Sequence, residues 1–149
     1  MNAVIALDPR KIIVNSKSKN KKDVIKELTH LFFKQGDVSN EDDFLSDVYE
    51  REKEGPTGIG DLVAIPHGKG KSVVKPSIAL ATLSNEIPWE SLDDAGARIV
   101  VLFAVTNDSE GSREHLKLLS EFAKKLGNDN VLEKLTKANT VSEIISAFK

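Results

Sequence analysis

The apolar run Ile-Val-Val-Leu-Phe-Ala-Val, from Ile99 to Val105, constrains the fold more than any other feature of this sequence. No polar residue alternates within it, so a strand formed from it is apolar on both faces. The run is far too short to cross a bilayer, which takes about 20 apolar residues. It therefore predicts a central β-strand that other elements cover on both sides.

Extended and helical patterns alternate along the rest of the chain. Strands are predicted at residues 12–14, 62–65 and 78–83, and helices at 23–35, 40–54, from a cap at Ser112 onward, at 131–136 and at 141–148. This alternation predicts an α/β fold with a sheet between helices, and leaves the order of the strands open. A length of 149 residues suits one domain over residues 1–149.

Composition excludes several classes of function. The chain carries 21 basic and 23 acidic residues, a net charge of −2, which argues against general nucleic-acid binding. It has no cysteine, so disulfides and thiolate chemistry are excluded. Residues 1–8 lack the basic segment and long apolar stretch of a signal peptide. We therefore expect a cytoplasmic protein that does not insert into a membrane.

Two familiar ligand motifs are incomplete in this sequence. Gly70-Lys71-Ser72 resembles the end of a phosphate-binding P-loop, but Ile65 stands where that motif needs its first glycine. The three histidines lack the spacing of metal ligands, and His30 lies outside the apolar stripe of its helix, as a surface residue would. We expect no nucleotide, no metal and no other cofactor.

The segment Ile65-Pro66-His67-Gly68-Lys69 is the strongest local indication of chemistry. A predicted strand ends at the proline and a histidine follows directly, and ligand sites in α/β folds gather at strand ends. A histidine placed there can act as a nucleophile or as an acid–base group. On the local pattern alone, an ordinary loop histidine is the more common explanation.

A longer set of motifs resembles the enzyme IIA domains of the fructose–mannitol class of the bacterial sugar phosphotransferase system. The likeness lies in the segment from Thr57 to Lys69, in Arg51-Glu52 before it, in Trp89-Glu90-Ser91-Leu92-Asp93, and in a second histidine, His115, at the head of a helix. The chain departs from the family at Leu62, where glycine is common. The resemblance implies a single mixed β-sheet flanked by helices on both faces.

The resemblance also implies a phosphocarrier function. His67 would accept a phosphoryl group at Nε2 from the histidine-containing phosphocarrier protein and pass it to a cysteine of enzyme IIB. Arg51 would offset the phosphoryl charge, and His115 would donate a hydrogen bond from the first turn of its helix, aided by the helix dipole. Lys69 is expected to be a solvated loop residue. The domain would thereby drive uptake of fructose or a related sugar or polyol, working with a membrane enzyme IIC.

Two other functions fit the same sequence. In the nitrogen-regulatory branch of the family, the phosphorylation state of the domain controls its binding to other proteins. The remaining alternative is a small-molecule binding domain that keeps the fold and is not phosphorylated. The motif is shared by the transport and regulatory branches, so it does not distinguish them.

Overall fold

A six-stranded sheet lies between two layers of helices in the computed structural model, which describes residues 7–149. Residues 1–6, part of the segment considered above as a signal peptide, lie outside the described residues. The strands are β1 (Ile12–Ser16), β2 (Gly58–Gly60), β3 (Val63–Ala64), β4 (His67–Lys69), β5 (Ser77–Ile87) and β6 (Ala97–Val105). The helices are α1 (Lys21–Lys34), α2 (Glu41–Glu54), α3 (Ser109–Leu126), α4 (Asp129–Lys137) and α5 (Val141–Ala147), with a short 3₁₀ turn at Pro9–Lys11.

Strand β6 is the centre of the sheet, as the apolar run predicts. It pairs antiparallel with β5 on one side, and parallel with β3 and β4 on the other. The remaining strands complete the order β1-β5-β6-β3-β2, with β4 beside β6. Every residue from Ile99 to Val105 is buried. The predicted α/β fold with a mixed sheet is confirmed.

Side chains on the two faces of β6 belong to two separate hydrophobic cores. Its side chains alternate between the faces, as in any strand. Phe103 and its neighbours on one face pack with Phe122 and Phe148, from the layer of α3, α4 and α5. Leu102 and its neighbours on the other face pack with Phe32 and Phe44, from α1 and α2. Helices on both faces are therefore required to bury the run.

Proline 66 interrupts the strand beside β6 without ending it. The sequence predicts a strand over 62–65 that stops at Pro66, but pairing with β6 resumes at His67, which lies opposite Phe103. Proline has no N–H to donate, yet its carbonyl still accepts from the backbone N–H of Phe103 at 3.1 Å. Leu62 lies in the preceding turn with a φ of 65°, the left-handed region where glycine is favoured.

Helix α3 begins earlier than the sequence predicts. Asp108, not Ser112, is its N-cap, and its side chain accepts from the N–H of Gly111 at 2.5 Å. Gly111 therefore lies inside the helix, where a Cβ atom would fall 2.0 Å from the Thr106 hydroxyl oxygen. The predicted cap is wrong, and His115 lies in the second helical turn rather than the first.

Side chains cap two other helices. The side chain of Asn40 accepts from the N–H of Asp43 at the start of α2, and that of Thr140 accepts from the N–H of Glu143 at the start of α5. Helix α4 is longer than predicted and is capped by Asn128. None of the helices within residues 7–149 is long and apolar enough to span a membrane.

Helix α2 packs directly on β4 at Gly68. A Cβ atom at this glycine would lie 2.8 Å from ring atom Cε1 of Phe44 and 2.8 Å from Cγ2 of Val48. Real contacts of this kind do not come so close, so only glycine permits the observed spacing between the helix and the strand. This contact fixes the distance between α2 and strand β4, including the residues on either side of Gly68.

We expect Gly68→Ala to destabilise the protein by about 1–3 kcal/mol, because the added methyl group overpacks the contact with Phe44 and Val48. Urea denaturation followed by circular dichroism measures the change. Lys69→Ala is the matched control: its exposed side chain lies on the opposite face of β4, and we expect a change within about 0.5 kcal/mol. Equal denaturation midpoints for Gly68→Ala and the wild type would contradict the packing described here.

Candidate functional site

A cleft of about 620 Å³ opens between the carboxyl-terminal half of α2, strand β4 and the first turns of α3. Its lining includes Glu50, Arg51, His67, Lys69, Ser112 and His115. The three site residues named from the sequence, Arg51, His67 and His115, therefore come together, although they are distant along the chain. The cleft contains both acidic and basic side chains around two histidine rings.

His67 is half-buried and is the first residue of β4. Its Nε2 atom accepts a hydrogen bond from Nε–H of Arg51, at a distance of 3.1 Å. Because arginine only donates, Nε2 carries no proton, and in the neutral ring the proton is on Nδ1. Nδ1 is buried and makes no well-formed hydrogen bond with residues 7–149. The lone pair of Nε2 therefore faces the cleft beside a guanidinium group.

The surroundings of His67 favour the neutral ring. Burial lowers its pKa below the ordinary value, and the positive charge of Arg51 lowers it further. The backbone carbonyl of Ile65 acts in the opposite direction, since an acceptor favours the protonated ring, and its effect is the smallest of the three. At neutral pH, His67 is thus unprotonated at Nε2, whose lone pair accepts the hydrogen bond from Arg51. The neutral ring is the form in which histidine acts as a nucleophile.

Arg51 reaches His67 because of its place on α2. Phe44, Val48 and Arg51 are spaced i, i+4, i+7, so they share one face of the helix. The first two pack on Gly68, and the third then lies over His67. The guanidinium also donates from Nη1 to the carbonyl of Gly55 at 3.3 Å. These two hydrogen bonds fix its orientation in the cleft.

The ring of His115 faces that of His67, with 4.7 Å between the ring centroids and a tilt of 45°. The Phe103 ring also packs against His115, with 5.1 Å between the centroids and an angle of 78° between the ring planes. Burial, followed by the charges of His67, Lys69 and Arg51, lowers the pKa of His115 to about 4. His115 is therefore neutral at pH 7, and its buried Nδ1 has no hydrogen-bond partner among residues 7–149.

The early start of α3 removes part of the role predicted for His115. The unbonded N–H groups of a helix belong to its first four residues, which here begin at Ser109. His115 is the seventh helical residue, outside the range in which the helix dipole has a strong effect. His115 therefore presents a ring nitrogen to the cleft, and the N–H groups of the helix terminus lie elsewhere.

Sequence reasoning did not find the pair formed by Lys69 and Ser112. Lys69 belongs to β4 rather than to a loop, and its Nζ donates a short hydrogen bond to Oγ of Ser112. The signal was the spacing: residues two apart in a strand share a face, as do residues three apart in a helix. His67 and Lys69 on β4 therefore meet His115 and Ser112 on α3.

The other motif segments brace the approach to His67 instead of lining the cleft. The indole N–H of Trp89 donates to the buried hydroxyl of Thr57 at 2.9 Å, and Asp93 accepts from the backbone N–H of Asp61 at 3.0 Å. A Cβ at Gly58 would lie 2.6 Å from the Cβ of Ser91, so the two segments are in close contact. Their likeness to the family thus reflects support for the strand that carries His67.

The described residues offer no arrangement suited to a metal ion. Within residues 7–149, histidine, aspartate and glutamate side chains do not form a group of three that could hold one. His30, the third histidine, lies on the surface with its side chain 63 % exposed, and its Nδ1 is 3.1 Å from Oε1 of Glu41. It takes no part in the cleft.

Sequence comparison assigns the chain to a family. Residues 6–149 match the family described as "Phosphoenolpyruvate-dependent sugar phosphotransferase system, EIIA 2". A fructose-specific EIIA component from Haloferax volcanii is 33 % identical over 129 residues, which cover 85 % of this chain and 82 % of the relative. A nitrogen regulatory protein from Pseudomonas aeruginosa is 28 % identical, over 93 % of this chain and 88 % of the relative.

One similar protein is much longer than this chain. The 2-O-alpha-mannosyl-D-glycerate-specific EIIABC component of Escherichia coli is 31 % identical over 137 residues. The match covers 92 % of this chain but only 21 % of that protein, so the chain spans about a fifth of its length.

Solved structures share the fold. The nitrogen regulatory protein IIA-Ntr of Neisseria meningitidis superposes with a TM-score of 0.88 at 24 % identity, over 98 % of both chains. The IIA-Mtl chain in the complex with phosphorylated IIB-Mtl from Escherichia coli superposes with a TM-score of 0.81 at 23 % identity, over 95 % of this chain and 96 % of that one.

Domains of this family are components of a phosphotransferase: they are phosphorylated on histidine and pass the phosphoryl group to enzyme IIB. A cleft with a neutral histidine beside an arginine has the chemistry that such a transfer requires. With the match extending over residues 6–149, this chain belongs to the type-2 EIIA family of the phosphoenolpyruvate-dependent sugar phosphotransferase system.

Proposed function

We propose that Nε2 of His67 accepts a phosphoryl group from the histidine-containing phosphocarrier protein and passes it to a cysteine of enzyme IIB. The observation that carries this proposal is the 3.1 Å hydrogen bond from Arg51 to Nε2 of His67 inside the cleft. In this hydrogen bond Nε2 is the unprotonated nitrogen and a guanidinium lies beside it, which supports both roles. Residues 1–149 would act as one domain in this transfer.

The transfer needs no general base on this chain. The lone pair of Nε2 attacks phosphorus, and the bond between phosphorus and the donor histidine breaks, leaving its electron pair on the donor ring. Because Nε2 carries no proton in the resting state, none has to be removed before attack. Transfer to enzyme IIB repeats the step with a cysteine thiolate as the nucleophile.

Arg51 supplies the main electrostatic stabilisation. A phosphoryl group brings up to about two negative charges. On its arrival the guanidinium exchanges its hydrogen bond with Nε2 for bonds with phosphoryl oxygens, which its planar fork can contact in pairs. One such charge pair is worth about 4 kcal/mol at 4 Å and an effective dielectric of 20. That is enough to hold the group and small enough to permit onward transfer.

His115 adds a hydrogen bond instead of a charge. Its ring lies 4.7 Å from that of His67, and one ring N–H of the neutral form can donate to a phosphoryl oxygen. A phosphoryl dianion beside it favours the protonated ring, so phosphorylation of His67 should strengthen this donor.

The cellular role proposed for this chain follows its relatives. We propose that it acts in the cytoplasm, in uptake of fructose or a related sugar or polyol, together with an enzyme IIC in the membrane. The similarity to the fructose-specific EIIA component supports the sugar class. The sugar itself never reaches this cleft, so the specificity of the pathway would lie in the partner proteins.

A regulatory role is the second candidate. The similarity to a nitrogen regulatory protein over 88 % of that protein's length favours it. In that case phosphorylation of His67 would change which proteins bind the cleft, and no enzyme IIB would be required. Rapid transfer of label from phosphorylated protein to a purified sugar enzyme IIB would favour transport, and absence of transfer to any such enzyme would favour regulation.

The first prediction of the phosphocarrier proposal concerns labelling by radioactive phosphoenolpyruvate in the presence of enzyme I and the phosphocarrier protein. We expect acid-labile label on the wild type and none on His67→Ala, because Nε2 is the proposed acceptor. His30→Gln is the matched control, since this exposed histidine lies outside the cleft and its loss should leave labelling unchanged. An unlabelled wild type, beside an authentic enzyme IIA that is labelled, would contradict the phosphocarrier function. A small-molecule binding domain would then be the remaining hypothesis.

The second prediction concerns Arg51. We expect Arg51→Gln to slow phosphorylation of His67 by about 100-fold, in line with the loss of one preorganised electrostatic donor. Arg51→Lys should recover part of this rate, because lysine restores the charge without the planar fork. Rapid-quench measurement of labelling gives both rates. A rate for Arg51→Gln within threefold of the wild type would remove Arg51 from the mechanism.

The third prediction concerns the protonation of His115. We expect its ring to titrate with a pKa of about 4 in the unphosphorylated protein and clearly higher after phosphorylation, since the phosphoryl charge opposes the effects of burial and of nearby cations. Proton–nitrogen NMR of the ring nitrogens measures both values. An unchanged His115 titration after phosphorylation would place its ring out of contact with the phosphoryl group.

A further inference from the structure

We propose that Lys69 is a second phosphoryl-binding cation of this site and that Ser112 holds it in place. The proposal rests on the phosphocarrier function proposed above. It assigns a binding role to Lys69 and a positioning role to Ser112, which reaches the phosphoryl group only through Lys69.

Strand geometry brings Lys69 to the cleft. In β4, the side chains of His67 and Lys69 leave the same face, while Gly68 faces α2. On α3, Ser112 and His115 are three residues apart and share a face. The two elements therefore meet in two parallel contacts: one joins the two histidine rings, and the other joins Nζ of Lys69 to Oγ of Ser112.

The positive charge of Arg51 alone does not balance the charge of a phosphoryl group in this cleft. A bound phosphoryl group brings up to about two negative charges. His115 is neutral at pH 7 before the phosphoryl group arrives, and Glu50 is already paired with Lys53 at 3.0 Å. Arg51 supplies one positive charge, and a carboxylate oxygen of Glu54 lies 3.9 Å from its Nε.

Arg51 alone therefore leaves a phosphoryl dianion under-compensated in a half-buried site. Among the described residues that line the cleft, Lys69 is the cation placed on the face of β4 that carries His67.

The charge of Lys69 is felt inside the cleft. It is the second-largest of the charge effects that depress the pKa of His115, after that of His67. A cation close enough to act on the His115 ring would also act on a phosphoryl group bound at His67 beside that ring. The geometry and the electrostatics therefore agree on the location of Lys69.

The bond to Ser112 explains how an exposed lysine can serve at a defined site. A free lysine loses side-chain entropy when it is held in one position. The hydroxyl of Ser112 already restrains Nζ at the mouth of the cleft, so part of that loss has occurred before the phosphoryl group arrives. Lysine has three donors, so Nζ can contact a phosphoryl oxygen while it keeps the serine.

The test uses the whole chain in four variants: Lys69→Gln, Lys69→Arg, Ser112→Ala and the control Lys71→Gln. Lys71 is an exposed lysine two residues further on that does not line the cleft. One readout is the equilibrium occupancy of phosphohistidine in exchange with the phosphocarrier protein. The other is the pKa of the phosphoryl group, followed by phosphorus NMR of isolated phosphorylated protein.

We expect Lys69→Gln to lower the equilibrium constant for phosphorylation about five- to tenfold and to raise the phosphoryl pKa by roughly half a unit or more, because the dianion loses an opposing charge. Lys69→Arg should restore most of both values. Ser112→Ala should shift them in the same direction as Lys69→Gln but by less, and Lys71→Gln should leave them within twofold of the wild type.

The results distinguish a wrong role for Lys69 from a wrong phosphocarrier function. Equal values for Lys69→Gln and Lys71→Gln, with the wild type phosphorylated, would overturn the role of Lys69 and leave the phosphocarrier function intact. Slower labelling of Lys69→Gln with unchanged equilibrium and phosphoryl pKa would also overturn it, since Lys69 would then contact the partner protein. A wild type that takes no label would overturn the proposed function and this inference together.

Discussion

The cleft depends first on the pairing of β4 with the carboxyl-terminal half of β6. This pairing sets His67 opposite Phe103, whose ring edge in turn holds His115. It also presents Gly68 to α2, and the close approach there carries Arg51 to Nε2 of His67. One strand of three residues thus aligns groups from both helical layers, because its alternate side chains leave opposite faces of the sheet.

The two histidines are kept neutral by the same surroundings that suit them to handle an anion. Burial and nearby cations disfavour the protonated rings, so a lone pair is available at Nε2 of His67 without any base to remove a proton. The same cations would stabilise a negatively charged phosphoryl group, and that interaction would offset part of the free-energy cost of burying its charge. Surroundings that disfavour a proton on these rings are therefore suited to the phosphoryl group proposed to bind there.

The main elements of the fold follow from local pattern. The buried run ending at Val105 predicts the central strand because apolar residues on both faces require cover on both faces. The capping residues Asn40 and Thr140 mark helix starts through their own side chains. The start of α3 is missed because Gly111 suggests a loop by its type. It lies inside the helix that Asp108 caps, at a position where Thr106 leaves no room for a side chain. That constraint comes from a neighbouring segment and leaves no mark in the helical pattern.

By itself, the sequence determined the α/β class, the family likeness and the identity of His67, Arg51 and His115 as residues to examine, because these depend on residue type and spacing along the chain. Tertiary structure alone decided that Arg51 donates to Nε2, that both rings are neutral, and that Lys69 and Ser112 join the site. It also removed the helix terminus from the role of His115. The physical reason is that proton position and charge depend on burial and on partners brought from distant segments, and those exist only once β4, α2 and α3 have packed together.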